Sequence, residues 1–144
     1  MSAKDMIESR ALRFVTSAKA RVELSPWGKH WWLSDPDVTA AEQLTLVRVR
    51  MRPGAGHDFH YHPEREEIIY VLDGVAEQWV DREKRRLKAG EIAFIPKGVV
   101  HAIHNRSKKP MTFLAILSPA QAKGPFLVDC YDDEPWRSLR ERRR

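Results

Sequence analysis

Residues 54–74 read GAGHDFHYHPEREEIIYVLDG. At the centre stand His60, Tyr61 and His62, with Glu67 a little further on. Side chains alternate along a strand, so His60 and His62 project from one face. Imidazole nitrogens are the commonest protein metal ligands, and a carboxylate supplies the hard oxygen that divalent metals accept. The stretch is therefore a candidate metal site. Its last residues, Asp73-Gly74, sit between apolar runs, the strongest short hairpin signal a sequence offers.

The same punctuation continues outward in both directions. Upstream, residues 44–51 form a Leu- and Val-rich strand that Pro53-Gly54 stops. Before it, 30–33 is a short aromatic strand between the turn Ser25-Pro26-Trp27-Gly28 and the closing Ser34-Asp35-Pro36-Asp37. Downstream, strands are expected at 59–62, 67–72, 75–80, near 86–88, 91–95, 100–105, 111–117 and 126–130, each bounded by Gly, Pro or polar residues. Helical spacing is confined to the N-terminus, where Ser2 and Asp5 read as a capping box ahead of Met6, Ile7 and Ala11. Many short strands between turns indicate an all-β sandwich or barrel, whose closure protects the strand edges. No repeat or linker divides the chain. Residues 1–24 read as an N-terminal extension, 25–130 as the barrel and 131–144 as a basic tail.

The length of 144 residues suits one domain with a sizeable core. No apolar run approaches the roughly 20 residues of a membrane span. The first residues lack the features of a secretory signal. Cys130 is the only cysteine, which excludes an intrachain disulfide and a thiolate zinc cluster. A cytoplasmic protein is the expectation. The net charge of +5 is misleading until it is located. Residues 137–144 hold five arginines and one glutamate, leaving the body close to neutral. The basic character thus belongs to a short tail, expected to be solvated, and does not imply nucleic-acid binding.

Some forty residues after the histidine pair, residues 90–105 read GEIAFIPKGVVHAIHN. With this second stretch the chain resembles the cupin superfamily. The first cupin motif, G-x5-H-x-H-x(3,4)-E-x6-G, is met by Gly54, His60, His62, Glu67 and Gly74. The second, G-x5-P-x-G-x2-H-x3-N, is met by Gly90, Pro96, Gly98, His101 and Asn105. The resemblance implies a double-sheet β-barrel of jelly-roll type with a metal inside one mouth. It assigns His60, His62, Glu67 and His101 as metal ligands. Glu66 competes with Glu67, but the spacing to Gly74 and the shared parity with Ile69 and Val71 favour Glu67. The position after Gly90, often Asp in relatives, is Glu91 here and is not a ligand.

Other residues receive lesser roles. His57 and His104 are read as exposed or hydrogen-bonded histidines outside the ligand set. Trp27, Trp31 and Trp32 are read as core or subunit interface, with stacking on a sugar or ring substrate as the alternative. Gln78 has the parity to face a cavity and touch substrate, while Arg48 and Arg50 could grip a carboxylate substrate but alternate more simply onto the solvated face. Three imidazoles and one carboxylate leave coordination positions open for a small molecule, and Fe, Mn, Ni, Co, Zn and Cu all suit the set. The leading expectation is an enzyme, of dioxygenase, isomerase or lyase type, in which Glu67 could double as a base. The alternative is a non-catalytic cupin that binds or senses a small molecule. Fold alone does not choose. By family habit a homodimer is expected, with 30–33 and 126–130 as candidate interfaces, and neither nucleic acid nor membrane as a partner.

Overall fold

Two strands form the spine of the molecule. In β3 (Thr45–Met51) every second side chain is buried, from Thr45 through Val47 and Val49 to Met51. β10 (Met111–Ser118) repeats the alternation and pairs antiparallel with β3 on one side and β5 (Glu66–Asp73) on the other. β2 (Gly28–Ser34) and β1 (Arg21–Ser25) extend this sheet beyond β3, and β8 (Ile92–Ile95) extends it beyond β5. The order is β1-β2-β3-β10-β5-β8. The second sheet runs β11-β4-β9-β6-β7, comprising Val128–Asp129, Gly56–Tyr61, His101–His104, Val75–Val80 and Glu83–Lys88. The computed structural model describes residues 2–3 and 11–140. No helix among the described residues is long and apolar enough to cross a membrane.

The inward faces of the two sheets enclose the main core. Met51, Val71, Ala76 and Met111 are wholly buried, while Ile95 and Phe113 are nearly so. Turn chemistry fixes how the strands enter it. Gly74 has φ of 84°, and a Cβ there would press on Pro110 and Met111, so this turn demands glycine. Asn105 is buried and donates to the carbonyls of Met51 and Lys109, while its Oδ1 accepts from Ser107. The last residue of the second motif is thus a staple between β3 and the β9–β10 connection.

Several expectations change. The first strand is not 30–33: Arg21–Ser25 and Gly28–Ser34 form a hairpin, so the sheet begins before residue 25. RVELS alternates polar and apolar residues over only five positions, its Val22 and Leu24 stay exposed, and its pairing with β2 is what holds it extended. Residues 4–10 of the proposed N-terminal helix lie outside the described residues. The expected turn at Asp35 is a one-turn helix, α1 (Pro36–Thr39), because Asp35 Oδ1 accepts from the Asp37 and Val38 amides. The strand at 126–130 shrinks to the two residues of β11.

The tail is also not free. A second cluster, Phe59, Trp79, Ala102 and Cys130, forms on the outer face of the second sheet. Trp136 of α2 (Trp136–Leu139) covers it, its ring 5.4 Å from that of Phe59. Arg140 Nε then donates to Glu77 Oε2 at 2.6 Å. Apolar cover therefore ties down residues whose charge suggested solvation. Residues 141–144 lie outside the described residues.

His104 lies under this tail on the same outer face. It pairs across strands with Gly56, where a Cβ would overlap its ring. Gly56→Ala should therefore cost about 1–3 kcal/mol, as overpacking of a filled site does, read as a lower midpoint in denaturant. Burial, then the charge of Arg140, push the His104 imidazole down to about 4, against smaller opposing effects of Glu77 and Asp58 and a further lowering by Arg106. The unfolded chain then binds the extra proton between about pH 6.5 and 4 while the folded one does not, so stability falls as pH drops through that window. His104→Gln should remove at most about 3 kcal/mol of that acid sensitivity, measured as the difference in unfolding free energy between the two pH values.

Candidate metal centre

Three backbone carbonyls orient three imidazoles. His60 Nδ1 lies 2.7 Å from the Asp58 carbonyl, His62 Nδ1 2.8 Å from that of Phe126, and His101 Nδ1 2.9 Å from that of Val99. A carbonyl only accepts, so each Nδ1 carries the proton and each Nε2 keeps its lone pair free. One possible ligand atom from each of the three rings falls in a group no more than 4.8 Å apart, and all three residues are buried. These imidazoles could hold a metal ion.

The strand arrangement explains the convergence. His60 of β4 and His101 of β9 are direct cross-strand partners. His62 follows the end of β4, where its carbonyl accepts from the Gly98 amide at 3.0 Å. The Pro-x-Gly turn of the second motif is thereby fastened to the first. Glu67 enters from β5 in the opposite sheet, next to Leu117 of β10 and Ile95 of β8. It points inward and is buried, whereas Glu66 points outward and is exposed.

Glu67 Oε1 lies 2.9 Å from His101 Nε2 and 3.4 Å from His62 Nε2. Yet neither Glu67 Oε1 nor His101 Nε2 has a hydrogen bond of acceptable geometry. Two unsatisfied buried polar atoms this close fit a site in which both address a common third atom. Burial opposes the Glu67 charge, but the approach of His101 and His62 outweighs it and holds the carboxyl well below the usual carboxylate range. Burial, reinforced by His57 and His101, pushes the His60 imidazole well down, which keeps it neutral. An ionised carboxylate and a neutral imidazole are the forms that bind a metal. The donor set, nitrogen and oxygen without sulfur, suits a borderline to hard divalent cation.

A cavity of about 310 Å³ opens beside these groups. Trp27 and Trp32 line it, and Phe126 closes one side with its ring 5.0 Å from His62. Trp31 does not face it: that ring carries Arg48 on the outer face of the sheet, at 4.5 Å. Arg50 is exposed. Gln78 does line the cavity and is 2% exposed, with Nε2 donating to the Trp79 carbonyl and Oε1 unpartnered.

Sequence reasoning misses three residues here. His57 lies against the cavity, stacked between Trp27 at 4.6 Å and His60 at 3.7 Å. A bulge between His57 and His60 shifts the alternation so that the two rings meet. Burial pushes the His57 imidazole down to about 3. His30 is buried in the wall, its ring 4.3 Å from that of Trp27. Arg65 is buried without an acidic partner among the described residues and donates to the carbonyls of Pro119 and Ala120 while lying over the Phe126 ring at 4.6 Å. Only the bulge leaves no trace in the sequence; a lone arginine inside the first motif is visible there as an anomaly.

Comparison with known proteins agrees with this architecture. Residues 47–117 match the family model described as Cupin domain. An uncharacterised protein of Aquifex aeolicus is 46% identical over 61 residues, which are 42% of this chain and 50% of that protein. Tetracenomycin polyketide synthase protein TcmJ of Streptomyces glaucescens is 30% identical over 87 residues, 60% of this chain and 58% of the relative. The chain thus spans about half the length of these curated relatives. Among solved structures, KdgF from Halomonas sp. superposes with a TM-score of 0.66 at 22% identity, covering 75% of this chain and 95% of that one. With two facing antiparallel sheets and both motifs turned into one mouth, the chain belongs to the cupin superfamily.

Proposed function

We propose that His60, His62, Glu67 and His101 together hold one divalent transition metal, and that the chain is an enzyme acting on a small planar molecule with an oxygen donor. The observation that carries the reading is the set of three Nδ1–carbonyl bonds, which leave three Nε2 lone pairs free, those of His62 and His101 within 3.4 Å of one carboxylate oxygen. When bound, such a metal supplies Lewis acidity toward a carbonyl, enediol or phenol oxygen, and as iron it also supplies dioxygen chemistry.

The protein's own part is to admit, orient and dry the substrate. The cavity is at the small end of the ligand-pocket range of about 300–1,000 Å³, which suits a molecule of ring size. Trp27, Trp32 and Phe126 offer flat apolar contacts to such a ring. Gln78 Oε1 is an acceptor in search of a hydroxyl or N–H donor. No lysine or arginine lines the cavity among the described residues. A dicarboxylate would therefore bring a second charge with no counter-ion to meet it, a costly burial. The name of the Streptomyces relative ties that protein to a polyketide synthase, in keeping with an apolar cavity. Glu67 is held ionised and weakly basic by its neighbours, which supports the part of ligand before that of base.

The direct test is metal content by mass spectrometry of protein purified without a histidine tag. The parent should carry about one transition metal per chain, the stoichiometry of a single site. His60→Ala, His62→Ala and His101→Ala should each lose it, and Glu67→Gln should weaken it about tenfold or more. A parent unable to take up metal, or a His101→Ala variant that retains it, overturns the ligand assignment. A binding module that does not use the metal would instead show saturable ligand binding unaffected by His101→Ala.

The lining makes a separate prediction about substrate charge. Calorimetric titration of the metal-loaded protein should show catechol binding about tenfold or more tighter than oxalate, because the second oxalate charge goes unpaired. Tighter oxalate binding would reject the uncharged-ring reading while leaving the metal site intact.

A further inference from the structure

The hairpin of β1 and β2 brings three polar residues to the cavity that the metal centre does not use. Glu23, Ser25 and His30 all line it. Glu23 and His30 are direct cross-strand partners, and Ser25 and Gly28 flank the turn between the strands. His30 is 5% exposed, whereas the Glu23 side chain is half exposed. Glu23 Oε1 accepts from the Trp32 indole at 3.1 Å, which holds the carboxylate 3.8 Å from His30 Nδ1. On the other side of the ring, His30 Nε2 lies 3.4 Å from Ser25 Oγ. Acid–base chains without a bound guest are commonly this loose.

We propose that His30 is the base of the cavity, taking the proton of a guest hydroxyl on Nε2, with Glu23 as the positioning residue that keeps Nδ1 protonated. This role rests on the ring-shaped guest proposed above and uses none of the metal ligands. Ser25 makes room for the transfer. Its Oγ accepts from the Trp27 and Gly28 amides at 3.4 and 3.2 Å, so its lone pairs are engaged. Its proton has two acceptors within reach, His30 Nε2 and the Gly28 carbonyl at 3.2 Å. When a guest hydroxyl approaches Nε2, the serine proton turns to the carbonyl and no buried donor is stranded. In the transfer the guest O–H bond breaks, an Nε2–H bond forms and the electron pair stays on the guest oxygen. The imidazolium then points one N–H at the Glu23 carboxylate and the other at that oxygen. Before loading, burial pushes the His30 imidazole down against the smaller opposing effect of Glu23, so the ring is neutral and ready to accept. The titratable groups facing it are Glu23 from β1 and His57 from β4, while β3 offers Val49 at this register. Trp27 packs on both rings, 4.3 Å from His30 and 4.6 Å from His57.

Calorimetric titration of the zinc-loaded chain with catechol, at about pH 8 where an ordinary histidine is neutral, counts released protons when run in two buffers of different ionisation heat. His30→Gln should release about one more proton per bound catechol than the parent, because no imidazole remains to keep it. A merely structural His30 would change affinity and leave that count alone. In the parent, the His30 Cε1 proton resonance should shift to its imidazolium position when catechol binds, a readout that needs no variant at His30. Glu23→Gln alters a half-exposed side chain and should loosen the proton on His30 about threefold or more, read as a lower titration midpoint of that resonance in the complex. Equal proton release by parent and His30→Gln, or a His30 resonance that stays neutral in the complex, overturns the role while the ring reading stands. Failure of catechol to bind overturns both, and it shows as absent binding heat instead of an unchanged proton count.

Discussion

An imidazole can serve a metal only through a nitrogen without a proton, and here the main chain decides which nitrogen that is. Three carbonyls, at Asp58, Val99 and Phe126, each take an Nδ1 proton. Everything else in the mouth of the barrel follows from keeping those carbonyls in place. The pairing of β4 with β9 brings two of the rings together, and the Gly98 amide fastens the third to the second motif. The arrangement uses backbone, which mutation leaves in place, to set a property of side chains.

The second constraint is electrostatic. A carboxylate sealed in a barrel must be paired or neutralised. Glu67 faces the Nε2 atoms of His62 and His101 from the opposite sheet, in a cavity whose other walls combine apolar groups with His30, His57 and Gln78. No lysine or arginine among the described residues lines that cavity to anchor an anionic guest. One end of the barrel is filled by Met51, Val71 and Met111, so the open end is where that polarity balance can do chemistry.

Much of this was legible in the chain. The apolar-rich runs 45–51 and 111–117, each bounded by turn residues, specify the central strands, and Asp73-Gly74 specifies the hairpin, because these signals are local. Parity selects Glu67 over Glu66 for the same reason. What stayed hidden rests on distant partners. The bulge that turns His57 onto His60 has no local signature, and the alternation of RVELS is too short, with Val22 and Leu24 left exposed, to mark a strand without GKHWWLS beside it. The tail misleads because arginines dominate its composition, whereas Trp136, a single residue, decides its position. Arg65 shows the same limit, since its carbonyl partners lie more than fifty residues away.

The three orienting bonds are not equivalent. His60 and His101 each lean on a carbonyl two residues earlier in their own chain segment, so these rings are held whatever happens elsewhere. His62 leans on Phe126, which is 64 positions away in sequence and also forms a wall of the cavity, braced by Arg65. The wall and the ring are thus held by the same residue. A guest resting on Phe126 therefore touches the segment whose carbonyl fixes one imidazole, so the cavity wall and the donor set share an anchor.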